Sequence, residues 1–189
     1  MLIQTDAPEV LVFEPSPEAL FYLTRSLRLA AAESGDRWRV AERAKVYRVA
    51  AGSASAMSRI YVEQHNLGNA AIGKPVLDAE TLYIRDVYDV KVMAVDDVLR
   101  ARMDDGFSVR LLKMDVQGSE CAALTGMAQM LARGTIKALH TEVSERFLRR
   151  HECSANELLH RLKRNGYQLD PYDATVAMGF DVTARLPTT

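Results

Sequence analysis

Val10-Leu11-Val12-Phe13-Glu14-Pro15-Ser16-Pro17 fits a strand, its end and the start of a helix into eight residues. Four apolar residues in a row suit a strand buried on both faces. Glu14-Pro15 closes it, Ser16 has the side chain of an N-cap, and the fixed φ of Pro17 favours the first helical position. Leu20, Leu23 and Leu27 then recur at i, i+3 and i+7, which predicts an amphipathic helix running to Gly35. A buried strand feeding straight into a helix is the repeating unit of a mostly parallel sheet covered on both faces.

Outward from that unit the alternation continues. Residues 45–49 predict the next strand, opening into Ala50-Ala51-Gly52-Ser53-Ala54, and β-rich pieces follow at 58–62, 81–84 and 90–94. A short helix is expected from Asp96-Asp97 to just before Gly106, then a strand over 109–114 that closes on Asp115. Leu124, Met127, Ala128 and Leu131 make one apolar helix face ahead of Gly134, and residues 136–143 predict another strand. Ser154-Ala155-Asn156-Glu157 has the S-x-x-E form of a capping box, and its helix should stop at Gly166. Residues 167–169 and 175–182 flank the turn Asp170-Pro171-Tyr172-Asp173, which predicts a C-terminal antiparallel hairpin. The expected fold is α/β, a doubly wound sheet in one domain over residues 1–189.

Composition narrows the function. The chain has 189 residues, enough to bury about two thirds of its unfolded surface. Its 24 Lys and Arg against 25 Asp and Glu give a net charge of -1, and only 7% of residues are aromatic. Neither a nucleic acid nor an anionic membrane is therefore an expected partner. No apolar run is long enough to span a bilayer, and Met1-Leu2-Ile3-Gln4-Thr5-Asp6 does not read as a signal peptide, so a cytoplasmic protein is expected. Cys121 and Cys153 are too few for a disulfide framework and are expected as reduced structural thiols.

Ligands of open α/β sheets bind beyond the carboxyl ends of the strands, which here are Glu14, Ala51, Asp115 and Glu142. A carboxylate in the place of Glu14 suits both hydroxyls of a ribose, or else the dipole of the following helix. Asp115 could accept a proton from an acceptor or cap the helix after it. Glu120 falls in that helix's first turn and reads as a dipole partner. His140 and Glu142, two apart on a strand, face the same side and could relay a proton; with no third ligand at a usable spacing, no metal site is expected. Residues 68–74 match most of a phosphate-binding loop, but Pro75 replaces the hydroxyl that would hold magnesium. None of the ten glycines precedes Gly35 and no two stand two apart, so the chain has no G-x-G loop.

Val12-Phe13-Glu14-Pro15-Ser16-Pro17 resembles the F-E-P-x-P segment of FkbM-type S-adenosylmethionine-dependent methyltransferases. Lys113-Met114-Asp115-Val116-Gln117-Gly118-Ser119-Glu120 resembles their K-I-D-V-E-G-x-E segment, and Val95-Asp96-Asp97-Val98-Leu99 is similar to the L-D-x-L stretch before it. The resemblance implies a Rossmann-like class I methyltransferase sheet and methyl transfer from S-adenosylmethionine to a hydroxyl of a small molecule or sugar. It implies Glu14, Ala51 and Asp115 as cofactor-binding residues, with Asp115 and Glu142 as catalytic ones. Gln117 stands where the family usually has Glu.

A larger departure lies upstream. The family places a strand ending in D-x-G-x-N-x-G before the ribose-binding acid, and no such segment occurs in these 189 residues. The expectation is a domain without its first, central strand, whose exposed strand edges favour self-association. It is a methyltransferase fragment, or alternatively a non-catalytic binding module, that binds cofactor weakly or not at all.

Overall fold

The computed structural model describes residues 9–34, 40–64, 70–73, 84–173 and 179–187. Strand β1 (Val10–Phe13) leads into helix α1 (Pro17–Ser34), and the Ser16 hydroxyl accepts the Ala19 N–H at 3.3 Å as the N-cap should. After α2 (Val40–Arg43), β2 (Ala44–Tyr47) pairs with β1 in parallel, with Phe13 opposite Tyr47 and their rings stacked at 4.9 Å. All four residues of β1 are only half-buried, where burial on both faces was expected.

The expected strand over 45–49 stops at Tyr47. Two residues later the chain enters a different sheet as β3 (Ala50–Ala51), paired in parallel with the end of β6 (Ile84–Met93). Strand β4 (Ala56–Glu63) runs antiparallel to β6 along most of its length, and the short β5 (Ala71–Ile72) lies on the other edge of β4. The β-rich pieces expected at 81–84 and 90–94 differ from the structure: Ile84 and 90–93 belong to the single strand β6, and 81–83 lie outside the described residues.

Helices α3 (Val95–Val98) and α4 (Arg100–Asp104) replace the one short helix expected before Gly106. Strand β7 (Leu112–Met114) is followed by α5 (Glu120–Thr125) and α6 (Ala128–Ala132), then β8 (Ala138–Val143), α7 (Glu145–Arg150) and α8 (Ala155–Arg164). The capping box is present, with the Ser154 hydroxyl accepting the Glu157 N–H at 3.2 Å. Strands β9 (Gln168–Leu169) and β10 (Phe180–Arg185) close the chain as an antiparallel pair. The returning strand starts at Phe180, later than the 175–182 expected, and 174–178 lie outside the described residues.

The architecture is mixed α/β, with the expected hairpin at its C-terminal end. Its described strands form three hydrogen-bonded groups: β1-β2, β3-β6-β4-β5 and β7-β8-β10-β9. Among the described residues β1 pairs only with β2, and β7 pairs in parallel only with β8. The main apolar core lies around the last group. Ile136, Leu139, Val143, Leu148, Leu158 and Val182 are fully buried there, each worth about 1.5 to 3 kcal/mol relative to an exposed position. The Tyr167 hydroxyl reaches the Ile136 carbonyl at 2.6 Å within it, and burial pushes the phenol up to about 12.

Cys121 and Cys153 are not reduced thiols in this structure. They form a disulfide between α5 and the turn joining α7 to α8. Their sequence separation of 32 carries no local signal, because the tertiary packing of α5 against α8 brings them together.

Glu9 ties the first sheet to the helical layer. It receives Arg102 of α4 through a forked pair, with Nη2 to Oε1 at 3.0 Å, and Lys45 of β2 at 2.7 Å. These cations hold its carboxyl at about 2, below the usual 4.5. A depressed carboxylate stabilises the fold above its unfolded pKa, and that contribution is lost as pH falls from about 4.5 to about 2. After discounting for partial exposure, Glu9→Gln should cost about 1 kcal/mol at pH 7. Urea unfolding of parent and variant should show that gap narrowing as the pH is lowered through the window.

Candidate active site

Glu14 ends β1, and its backbone N–H still bonds to the Tyr47 carbonyl at 3.1 Å, so the strand's register fixes where the side chain starts. The carboxylate bends back so that Oε1 accepts the Ser16 N–H at 2.7 Å. Desolvation raises its proton affinity, and the Ser16 bond opposes that rise. Its other oxygen has no partner among the described residues. Ala51 ends β3 opposite Met93 in register. Gly52 follows, donating its N–H to the Met93 carbonyl at 3.0 Å.

A second cluster forms where β7 and β8 end side by side. Asp115 leaves β7 half-exposed, accepting the Gln117 amide at 2.8 Å and lying 3.5 Å from the Lys113 ammonium. Gln117 holds a left-handed φ of 48°, and Gly118 follows at 100°. A Cβ on Gly118 would stand 2.5 Å from the Phe147 carbonyl oxygen, so only glycine lets the β7 turn pack against α7. Gln117, Gly118, Glu120, Glu142, Ser144 and Phe147 surround a recess too narrow to admit water.

Glu142 stands exposed on β8, and its proton affinity is raised by partial desolvation and by the charges of Asp115 and Asp181. It is thus electrostatically coupled to Asp115, whereas Glu14 and Ala51 lie on the ends of the other two strand groups. His140 does face the same side as Glu142. Its Nδ1 is engaged by the Thr183 hydroxyl at 3.1 Å and its Nε2 lies 3.7 Å from Asp181, so it is held by β10. Among the described residues, Cys121, Cys153 and Glu157 are the group whose donor atoms approach one another within 4.8 Å. The two sulfurs are bonded to each other and Glu157 holds Arg161, so this group offers a cation no free donor set.

Glu120 is more than a dipole partner. It is 4% exposed, one oxygen accepts the Gly118 N–H at 3.2 Å, and the other has no hydrogen-bond partner. Desolvation, the largest cause, raises its proton affinity, and the nearby Asp115 charge adds to it. An acid whose pKa is raised by folding makes the fold less stable as pH climbs above the unfolded value of 4.5. Glu120→Gln should therefore unfold at higher urea than the parent at pH 7 and lose that advantage below pH 4.5. A variant weaker than the parent at pH 7 but not below pH 4.5 would show that the carboxylate form is required.

Residues 3–169 match the family model for the methyltransferase FkbM domain. A search of curated proteins found no match. Among solved structures, the chain is similar to the methyltransferase FkbM from Methylobacillus flagellatus KT, at 18% identity and a TM-score of 0.56. That similarity covers 94% of this chain but 36% of the other, so the chain spans about a third of the length of the structure it matches. At this identity the likeness speaks to fold, and it agrees with the mixed α/β order found above. The family model covers most of the chain, including both strand-end acids Glu14 and Asp115: the chain belongs to the FkbM methyltransferase domain family.

Proposed function

We propose that this chain carries the ribose-binding edge and the acceptor side of an S-adenosylmethionine-dependent methyltransferase that acts on a hydroxyl of a small molecule or sugar. The observation that supports this most is the pairing of Asp115 with Glu142 at the adjacent ends of β7 and β8, with the proton affinity of Glu142 raised. Two coupled carboxylates at neighbouring strand ends suit orienting an acceptor hydroxyl and taking its proton. Its raised proton affinity suits Glu142 to taking that proton.

The residues described fit only part of the cofactor. S-adenosylmethionine, when bound, supplies an already activated methyl group, so the protein's tasks reduce to alignment and proton removal. The free oxygen of Glu14 suits a ribose hydroxyl, and Ala51 lies at the end of a parallel strand. No glycine-rich segment for the methionine end occurs in the 189 residues, and β1 and β7 each leave an edge unpaired among the described strands. Taken alone, the chain binds the cofactor weakly or not at all in this proposal, and a strand from a longer chain or a second protein completes the sheet. Open edges also favour self-association.

The absent glycine segment supports a second reading, a binding module without catalysis. The DNA upstream of the Met1 codon separates the two. An in-frame D-x-G-x-N-x-G is expected; a stop codon close to Met1 would contradict the catalytic reading and leave the binding module.

Among the described residues no helix is long and apolar enough to cross a membrane. Cytoplasmic placement belongs to the same proposal, and a reducing cytoplasm would open the Cys121–Cys153 bond.

A further inference from the structure

A second, open cleft is lined by none of the residues of the carboxylate recess. Its volume is about 600 Å³, within the range of small-molecule sites. One wall is a stripe of α1: Pro17, Leu20, Phe21, Thr24, Arg25 and Arg28, spaced i, i+3, i+4, i+7, i+8 and i+11, which is one helical face. Arg48, just after β2, and Val90 and Lys91 of β6 also line it.

Four cations thus line one cleft, against the single carboxylate of Asp89. None of Arg25, Arg28, Arg48 and Lys91 has an ion-pair partner among the described residues. By contrast, Arg85, Arg100, Arg102, Arg149, Arg161 and Arg185 each hold a carboxylate. Arg25 and Arg28 are i,i+3 neighbours, a spacing at which like charges repel. Asp89 stands opposite Arg59 in the β4–β6 register. Phe21 is 60% exposed and adds an aromatic face beside the guanidinium groups. The methyl donor discussed above bears a sulfonium charge, and four unpaired cations would repel it.

We propose that this cleft binds a small organic phosphate. The arginines take its phosphate oxygens, for which their planar forks are suited, and the apolar stripe with Phe21 takes its ring or hydrocarbon body. The proposal does not depend on methyl transfer, so it is tested with no methyl donor present. Calorimetric titration with uridine diphosphate, which joins a flat base to two phosphates, should give a Kd below about 1 mM at low salt. Uridine should bind at least tenfold more weakly, and added salt should weaken the diphosphate. Arg25→Gln with Arg28→Gln should weaken the diphosphate at least tenfold while thermal unfolding matches the parent, because both side chains are exposed. No binding of uridine diphosphate, equal binding of uridine, or unchanged binding by the folded double variant would overturn the proposal.

Discussion

Gly126→Ala should unfold about 3 kcal/mol more easily than the parent, lowering Tm by roughly 6 to 12 °C for a chain of this size. The cause is contact of backbone with backbone. A Cβ on Gly126 would lie 1.9 Å from the Gly52 carbonyl oxygen and 3.0 Å from the Ala94 Cα. No side chain can turn aside there, so α5 and α6 would have to lift off the ends of β3 and β6. Gly52 has no slack to offer, since its own Cβ position lies 2.3 Å from Val92 Cγ1 and its N–H is held by Met93. Because Gly52 follows Ala51, the same displacement would shift that candidate cofactor residue. A melting temperature within a degree or two of the parent would mean that the helices have room the structure denies them.

Asp96→Ala should cost about 2 to 4 kcal/mol, from the loss of two bonds to an ionised acceptor and the stranding of their donors. Asp96 is 5% exposed, and its two oxygens accept the Gln129 N–H at 2.8 Å and the Met130 N–H at 3.1 Å. These are first-turn amides of α6, which have no partner inside their own helix. Asp96→Asn keeps one acceptor and should recover about half of the loss. Urea unfolding at pH 7 measures both variants, and hydrogen exchange at Gln129 and Met130 should quicken in the alanine variant. Equal stability of all three chains would contradict the capping role. The Asp96 N–H also donates to the Gly126 carbonyl at 2.9 Å, so the two substitutions meet at one junction and their costs should not add.

That junction shows where sequence alone stops. Gly126 and Asp96 are both visible in the chain, but the approach of Gly52 and the orphan amides of α6 arise only when distant segments pack. The apolar face at Leu124, Met127, Ala128 and Leu131 suggested one helix; the structure breaks it at Gly126 and Met127, where the backbone meets β3 and β6. Strand β6 was hard to see because its alternation is inverted in polarity: Asp86 and Tyr88 are half-buried while Val87 is 45% exposed. By contrast, Ser16 with Pro17 and Ser154 with Glu157 carry their caps within four residues, and both helix starts were legible.

The site divides in the same way. The four strand-end positions could be read from the ends of apolar runs, because each is set by its own strand. The coupling of Asp115 to Glu142 depends on β7 lying beside β8, and the burial of Glu120 on α5 sinking into the core, neither of which a local pattern encodes. The cationic cleft is a mixture: Arg25 and Arg28 share a helical face in the sequence, while Arg48 and Lys91 reach it only through the fold.

We propose that these residues carry the ribose acid and acceptor carboxylates of a methyltransferase without the strand that holds the methionine end. Calorimetric titration of S-adenosylmethionine into the 189-residue chain tests it most directly. No saturable binding is expected below about 1 mM, an affinity no stronger than about -4 kcal/mol. A Kd in the micromolar range would contradict it, because it would mean that the residues present already hold the whole cofactor.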